Sequence, residues 1–152
     1  MKTAVIMIGI QKSGKSTFCT KRLPDSFVHI SMDELNTRNK ERKLVEDCIS
    51  KELCIVIDNT NPKKEDRKRY ISTLKQNDYR IVGYFMQSRV ADCISRNKSR
   101  TDKDRVPDNA IAATSNKLEL PEYAEGFDEL FFVSLSGNDF VIEKWEEEDE
   151  VR

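Results

Sequence analysis

Short apolar runs alternate with longer stretches of helical spacing along the whole chain. Five runs have strand character: "TAVIMI" (3–8), "SFVHI" (26–30), "LCIVID" (53–58), "YRIVGYFM" (79–86) and "LFFVSL" (130–135). A sixth candidate is "DFVIEKW" (139–145). The run at 53–58 is apolar throughout, which suits a central strand covered on both faces. Between the runs, residues 34–53 place Leu44, Val45, Cys48, Ile49 and Leu53 at helical spacing. "NPKKEDRKRYISTLKQ" predicts a helix with Pro62 in its first position, Asn61 as its cap, and Tyr70, Ile71 and Leu74 on its buried stripe. "RVADCISRNKSR" reads as a short helix running into a basic turn, and Pro107 starts a further helical segment with Ile111 on its apolar side. The alternation predicts one α/β domain over residues 1–145, with a central parallel sheet of about five strands between helical layers, and an acidic tail at 146–152.

Composition narrows the class. A chain of 152 residues suits one domain with a substantial core. It has no apolar run of about 18 residues that would span a membrane, and its N-terminus enters a strand directly, without a signal-peptide pattern. The cysteines Cys19, Cys48, Cys54 and Cys93 show no C-x-x-C spacing, and three lie in apolar neighbourhoods. Reduced core thiols in a cytoplasmic protein are expected, in preference to a zinc or disulfide site. The net charge of −1 conceals an asymmetry: residues 63–105 carry 13 lysines and arginines against 6 acidic residues, and residues 106–152 carry 3 against 13. The middle segment is either a surface for a phosphate-rich ligand or a set of solvated helix faces with ordinary charge pairing.

Chemistry enters at "GIQKSGKSTF" (9–18), where Gly9, Gly14, Lys15 and Ser16 fill the pattern G-x-x-x-x-G-K-[ST]. Two glycines let the chain turn tightly, so that successive N–H groups point at an anion, and the helix that follows adds its positive N-terminal end. Gly9, Gln11, Lys12, Ser13, Gly14, Lys15, Ser16 and Thr17 are therefore candidate nucleotide-phosphate-binding residues. Lys15 is placed for the β- and γ-phosphates and Ser16 for Mg²⁺. A glycine turn with an incidental lysine would need neither the strand before nor the helix after.

Three further sites qualify this loop. Asp33, in "HISMDEL" just beyond the second strand, is either a general base for an attacking hydroxyl or a helix N-cap. Asp58, ending the strand "IVID", is favoured as a carboxylate near Mg²⁺ over a loop aspartate that caps the next helix. Arg96 and Arg100 are four apart and share a helix face, from which they would close over ATP. His29, the single histidine, reads most economically as a polar position in a strand.

With these segments in place, the sequence resembles the kinase domain of polynucleotide 5′-hydroxyl kinases, within the P-loop kinases of the AAA-like ATPase domain group. "GIQKSGKSTF" is similar to their phosphate loop, "ISMDEL" to the segment with their general-base aspartate, and "IDNTNP" to the D-N-T-N-P segment of the animal enzymes. "RNKSR" followed by "VP" looks like the lid of the phage enzymes, and "LPEYAEGFDEL" (120–130) like a segment closing the domain, centred on Gly126 and Phe127. The resemblance implies a three-layer P-loop NTPase fold of the kinase type. It also implies ATP and Mg²⁺ as donor and cofactor, and the 5′-OH end of DNA or RNA as acceptor. Lys15, Asp33 and Arg100 would then be catalytic, Arg96 would assist at the phosphates, and Ser16 and Asp58 would serve the metal. Where the phage enzymes have an arginine for the acceptor phosphate this chain has Asn36, with Arg38 nearby. The family's D-x-D-G-T phosphatase motif does not occur in these residues, so a separate phosphatase or ligase partner is expected. A small-molecule kinase (nucleoside, sugar or antibiotic) and a non-catalytic nucleotide-binding module are the rival readings. No N-K-x-D segment supports a GTPase.

Overall fold

A computed structural model describes residues 2–98 and 105–146. The elements run β1 (Thr3–Ile8), α1 (Lys15–Arg22), β2 (Val28–Ile30), α2 (Met32–Leu35), α3 (Arg38–Ser50), β3 (Ile55–Ile57), α4 (Lys64–Gln76), β4 (Arg80–Met86), α5 (Val90–Lys98), α6 (Asp108–Lys117), β5 (Glu129–Ser136) and β6 (Asp139–Lys144). A 3₁₀ turn at Tyr123–Glu125 precedes β5. The sheet has six strands in the order β2-β3-β1-β4-β5-β6. The five expected strands are parallel, and β6 adds an antiparallel edge as a hairpin with β5.

Strand β1 pairs with β3 on one side and β4 on the other. Its side chains alternate between two cores: Ala4, Ile6 and Ile8 face one, Val5 and Met7 the other. The first core is covered by Val45 and Cys48 of α3, Tyr70, Ile71 and Leu74 of α4, Cys93 of α5 and Ile111 of α6. The second is covered by α1, whose Phe18 lies 4.9 Å from the Tyr84 ring and meets Phe140 edge-on at 5.2 Å. Burying Phe18 and Cys19 fixes the rotation of α1, and with it the directions of Lys15 and Ser16.

The expectation of one helix across 34–53 is corrected to two. Asn36 takes a left-handed conformation (φ 69°) that ends α2, a region asparagine tolerates better than most residues. Thr37 then caps α3 by accepting from the Lys40 N–H. Leu53 falls outside the helix and is exposed. The start of α4 is corrected as well: neither Asn61 nor Pro62 opens it. Asn61 is itself left-handed (φ 46°), and its amide turns inward to the Met7 carbonyl at 2.8 Å. The helix therefore begins two residues later, where the Lys63 N–H donates to Asp66. Cys19, Cys48 and Cys93 are buried, and all four cysteines are free thiols.

The charge asymmetry is resolved largely inside the molecule. Lys64 pairs with Glu122, Lys75 with Asp128 and Arg80 with Glu129, each within 3 Å. These pairs are exposed and contribute little individually, but they remove three cations from the surface suggested for a phosphate-rich ligand. The fourth pair differs. Arg67 is fully buried, donates to both carboxylate oxygens of Glu125 at 2.8 and 3.1 Å, and donates to the carbonyls of Asn61 (2.9 Å) and Pro62 (3.2 Å). Removing one member of such a pair strands a buried charge, which costs about 3–5 kcal/mol. Arg67→Met is therefore expected to lose stability of that order in urea unfolding. The double variant Arg67→Met/Glu125→Met is expected to recover part of the loss, and equal losses in the two would contradict the assignment.

Candidate active site

The residues between β1 and α1 form a loop held in shape before any ligand arrives. A Cβ on Gly9 would stand 2.8 Å from Ser13 Oγ and 3.0 Å from Met86 Cβ, so only glycine lets the loop pass there. Gly14 (φ 99°) makes the left-handed turn into α1. Four neighbours brace the loop. The Gly9 N–H donates to the Thr60 carbonyl (3.0 Å) and the Ile10 N–H to Ser88 Oγ (3.1 Å). The Gln11 amide donates to Thr114 of α6 (2.9 Å), and Arg96 of α5 donates to the Lys12 carbonyl (2.6 Å). Lys15 Nζ folds back onto the carbonyls of Gly9 and Ile10, 2.9 Å each. Burial lowers its pKa, opposed by the charge of Asp58 and more weakly by that of Asp33. Ser13 Oγ is buried without a partner among the described residues, a donor group left over for a ligand. Beside it a cleft of about 190 Å³ opens between Gln87, Arg89, Asp92 and Leu135.

Because β3 lies directly against β1, its carboxyl end delivers Asp58 to the loop. The side chain is 2% exposed and its Oδ2 accepts from Ser16 Oγ at 2.8 Å and meets His29 Nε2 at 2.7 Å. Burial alone would raise the Asp58 pKa, but the hydrogen bonds from His29 and Ser16 and the charge of Lys15 outweigh it, and the net shift is downward. A hydroxyl and an ionised carboxylate in contact beside a phosphate loop are the oxygen donors Mg²⁺ takes, and these two residues fit that ion.

Asp33 sits in the first turn of α2 with its side chain exposed, and Ser31, not Asp33, is the N-cap. This helix is tethered by Asn59, whose Oδ1 accepts from the Met32 N–H at 2.9 Å. The Asn59 amide donates in turn to Glu41 (2.9 Å) and to Tyr70 Oη (3.3 Å). Glu41 is buried at the centre of this group, accepting also from Tyr70 Oη and Arg38 Nη1, both at 2.9 Å. Burial, reinforced by Glu41, pushes the Tyr70 phenol up to about 12.

Of the residues expected from sequence, the loop from Gly9 to Thr17 and Asp58 come together, and Asp33 stands on the next helix within electrostatic reach of Lys15. Arg96 braces the loop from its Lys12 carbonyl. Arg100 lies outside the described residues. His29 is the polar strand position that was expected, in β2, and the pairing of β2 with β3 also places its ring against Asp58, a contact that the sequence did not signal. Sequence reasoning passed over Asn59 and Ser88. The signal for Asn59 was its place directly after Asp58, inside the segment that resembles D-N-T-N-P.

The hydrogen bond to Asp58, with a smaller contribution from Glu34, raises the His29 pKa. A histidine raised this way lends stability in full below its unfolded value of about 6.5, and loses it as pH climbs through the folded value. NMR titration of this single histidine is expected to give a value above 6.5 that falls toward the ordinary one in Asp58→Asn. A value already ordinary in the parent protein would contradict the contact.

A family model described as AAA domain matches residues 35–121, more than half of the chain, beginning just after Asp33. A protein of Acanthamoeba polyphaga mimivirus, named as a bifunctional polynucleotide phosphatase/kinase, is 31% identical over 153 residues, covering 95% of this chain and 36% of that one. The chain thus spans about a third of that relative's length. Among solved structures, the Pnkp1/Rnl/Hen1 RNA repair complex contains a chain similar at TM-score 0.63 and 20% identity, covering 77% of this chain and 44% of that one. A gluconokinase from Sinorhizobium meliloti is similar at TM-score 0.53 and 17% identity, covering 87% and 82%. At those identities the two structures bear on the fold alone, and both carry the P-loop kinase architecture described above. The chain belongs to the AAA domain family, with the fold of its P-loop kinases.

Proposed function

We propose that this domain transfers the γ-phosphate of ATP to the 5′-hydroxyl of a polynucleotide. The observation that carries the reading is the joint placement of two half-sites: Ser16–Asp58 at the phosphate loop, and Asp33 on a helix tethered by the very next residue, Asn59. In this reading the loop N–H groups and Lys15 hold the donor phosphates, Lys15 exchanging its two carbonyl partners for phosphate oxygens. Asp33 accepts the hydroxyl proton as the acceptor oxygen bonds to the γ-phosphorus and the bond to the bridging oxygen of ADP breaks. Mg²⁺, when bound, supplies charge neutralisation across the β- and γ-phosphates, and Ser16 and Asp58 would hold it. The cleft beside Ser13 receives the rest of the nucleotide, with Arg96 at its border and Arg100 as the catalytic arginine of the lid.

Arg38 takes the acceptor-phosphate contact for which Asn36 has no charge. Its Nη1 is held by Glu41 and Tyr70, which fixes the guanidinium plane, while half of its side chain faces solvent and its other nitrogens have no partner among the described residues. A phosphatase activity, in a further segment or a separate protein, or a ligase would complete the repair of an end.

The second reading, a small-molecule acceptor, draws support from the internal pairing of Lys64, Arg67, Lys75 and Arg80, which shortens the basic track a polynucleotide would follow. Transfer of labelled γ-phosphate to a 5′-OH DNA oligonucleotide, a 5′-OH RNA oligonucleotide and a nucleoside mixture separates the two. Label at an oligonucleotide 5′ end is expected, and label on nucleosides alone would overturn the proposal. Asp33→Asn is expected to lower kcat by about 10²–10⁴-fold with ATP binding nearly intact, whereas Lys15→Ala loses both. Arg38→Ala is expected to raise KM for the oligonucleotide about tenfold or more with little change for a nucleoside that has no phosphate.

A further inference from the structure

We propose that Cys19, His29 and Asp58 form a binding site for a soft divalent cation, Zn²⁺ foremost, adjoining the Ser16–Asp58 pair. The Cys19 thiol, a ring nitrogen of His29 and a carboxylate oxygen of Asp58 all lie within 4.8 Å of one another. They arrive from three elements: α1, β2 and the turn after β3. Strand order alone brings them together, and no ligand spacing in the sequence announces them.

The donor set separates this site from the Mg²⁺ site it adjoins. Magnesium takes oxygen ligands and leaves thiols alone. Zinc binds thiolate, imidazole and carboxylate at about 2.3, 2.0–2.1 and 2.0–2.2 Å, with three protein ligands and one open position as a common arrangement. Around such an ion the donors stand about 3.3–3.7 Å apart. The group must therefore close at its widest side and open the 2.7 Å His29–Asp58 contact. The half-exposed imidazole supplies that movement, since Cys19 and Asp58 are fixed in the core. Glu34, 3.4 Å from His29 Nδ1, is placed to hold the proton there and leave Nε2 free for the metal, as carboxylates behind zinc-bound histidines do. The thiol proton leaves to solvent as the Zn–S bond forms. The site shares Asp58 with the proposed phosphoryl transfer, but metal coordination does not rest on that activity.

Cobalt(II) titration of the whole chain tests the site directly, because thiolate ligation to Co²⁺ gives a near-ultraviolet charge-transfer band that Zn²⁺ abolishes on displacement. One equivalent of Co²⁺ is expected to produce the band. Cys19→Ser is expected to lose it and His29→Ala to weaken binding more than about tenfold. Cys54→Ser, at a thiol outside the group, is expected to keep it. Absence of the band with one equivalent of Co²⁺, or a band that survives Cys19→Ser, would overturn the proposal. Unchanged cobalt affinity in His29→Ala, with the fold shown intact by circular dichroism, would also overturn it. No outcome depends on ATP or an acceptor, so failure here is distinct from failure of the kinase reading.

Discussion

The parallel pairing of β3 with β1 delivers residues 58–62 to the mouth of the phosphate loop, and the geometry of the site follows from what those residues then bond to. Asp58 reaches Ser16 and His29. Asn59 takes the first N–H of α2, the Thr60 carbonyl takes the Gly9 N–H, and the Asn61 amide takes the Met7 carbonyl at the end of β1. Pro62 accepts from Glu119 beyond α6. Asp58 and Thr60 thus hold the phosphate loop, Asn59 holds α2, and Asn61 and Pro62 anchor the segment to β1 and to the chain after α6, so the carboxylate on α2 and the phosphate loop are held in one frame. That is the condition in which in-line transfer between two bound groups gains most from positioning.

Beneath this segment lies the buried Arg67–Glu125 pair. Its guanidinium donates to the Asn61 carbonyl, which a left-handed turn inside the protein leaves in need of a donor, and adds a second donor to the Pro62 carbonyl. The same contact ties α4 to the turn before β5. A sequence that is basic in its middle and acidic after it thereby folds onto itself, and Arg89 and Arg96 line the cleft next to Ser13. Charge that looked like a ligand surface in one dimension is in part an internal fastening.

The phosphate loop was legible because its chemistry is contiguous: the glycines, the lysine and the serine must stand at fixed spacing, and the strand and helix around them are local as well. The five parallel strands were legible from their apolar runs. The group around Asp58 was not, because His29 approaches it through the pairing of β2 with β3 and Cys19 through the packing of α1 on the sheet, and neither leaves a spacing to read. The break at Asn36 was not read because the apolar positions at helical spacing, Leu44 to Leu53, all lie beyond it, and the polar residues 36–43 mark no helix start. The role of Asn61 was inverted for a related reason. Preceding a proline and a charged run, it has the features of a helix cap whose side-chain oxygen would accept from a helix N–H, but its amide donates instead to a tertiary acceptor, the Met7 carbonyl.

That residues 58–62 hold both halves of the site in one frame is open to direct measurement. Hydrogen exchange at the amides of Gly9 and Met32 reports on the two halves, one bonded to the Thr60 carbonyl and the other to Asn59. Replacing Asn61 by alanine is predicted to speed exchange at both amides together while leaving the β5–β6 hairpin unchanged. Faster exchange at Gly9 alone, with Met32 as protected as before, would show the two halves to be independent and would contradict the account.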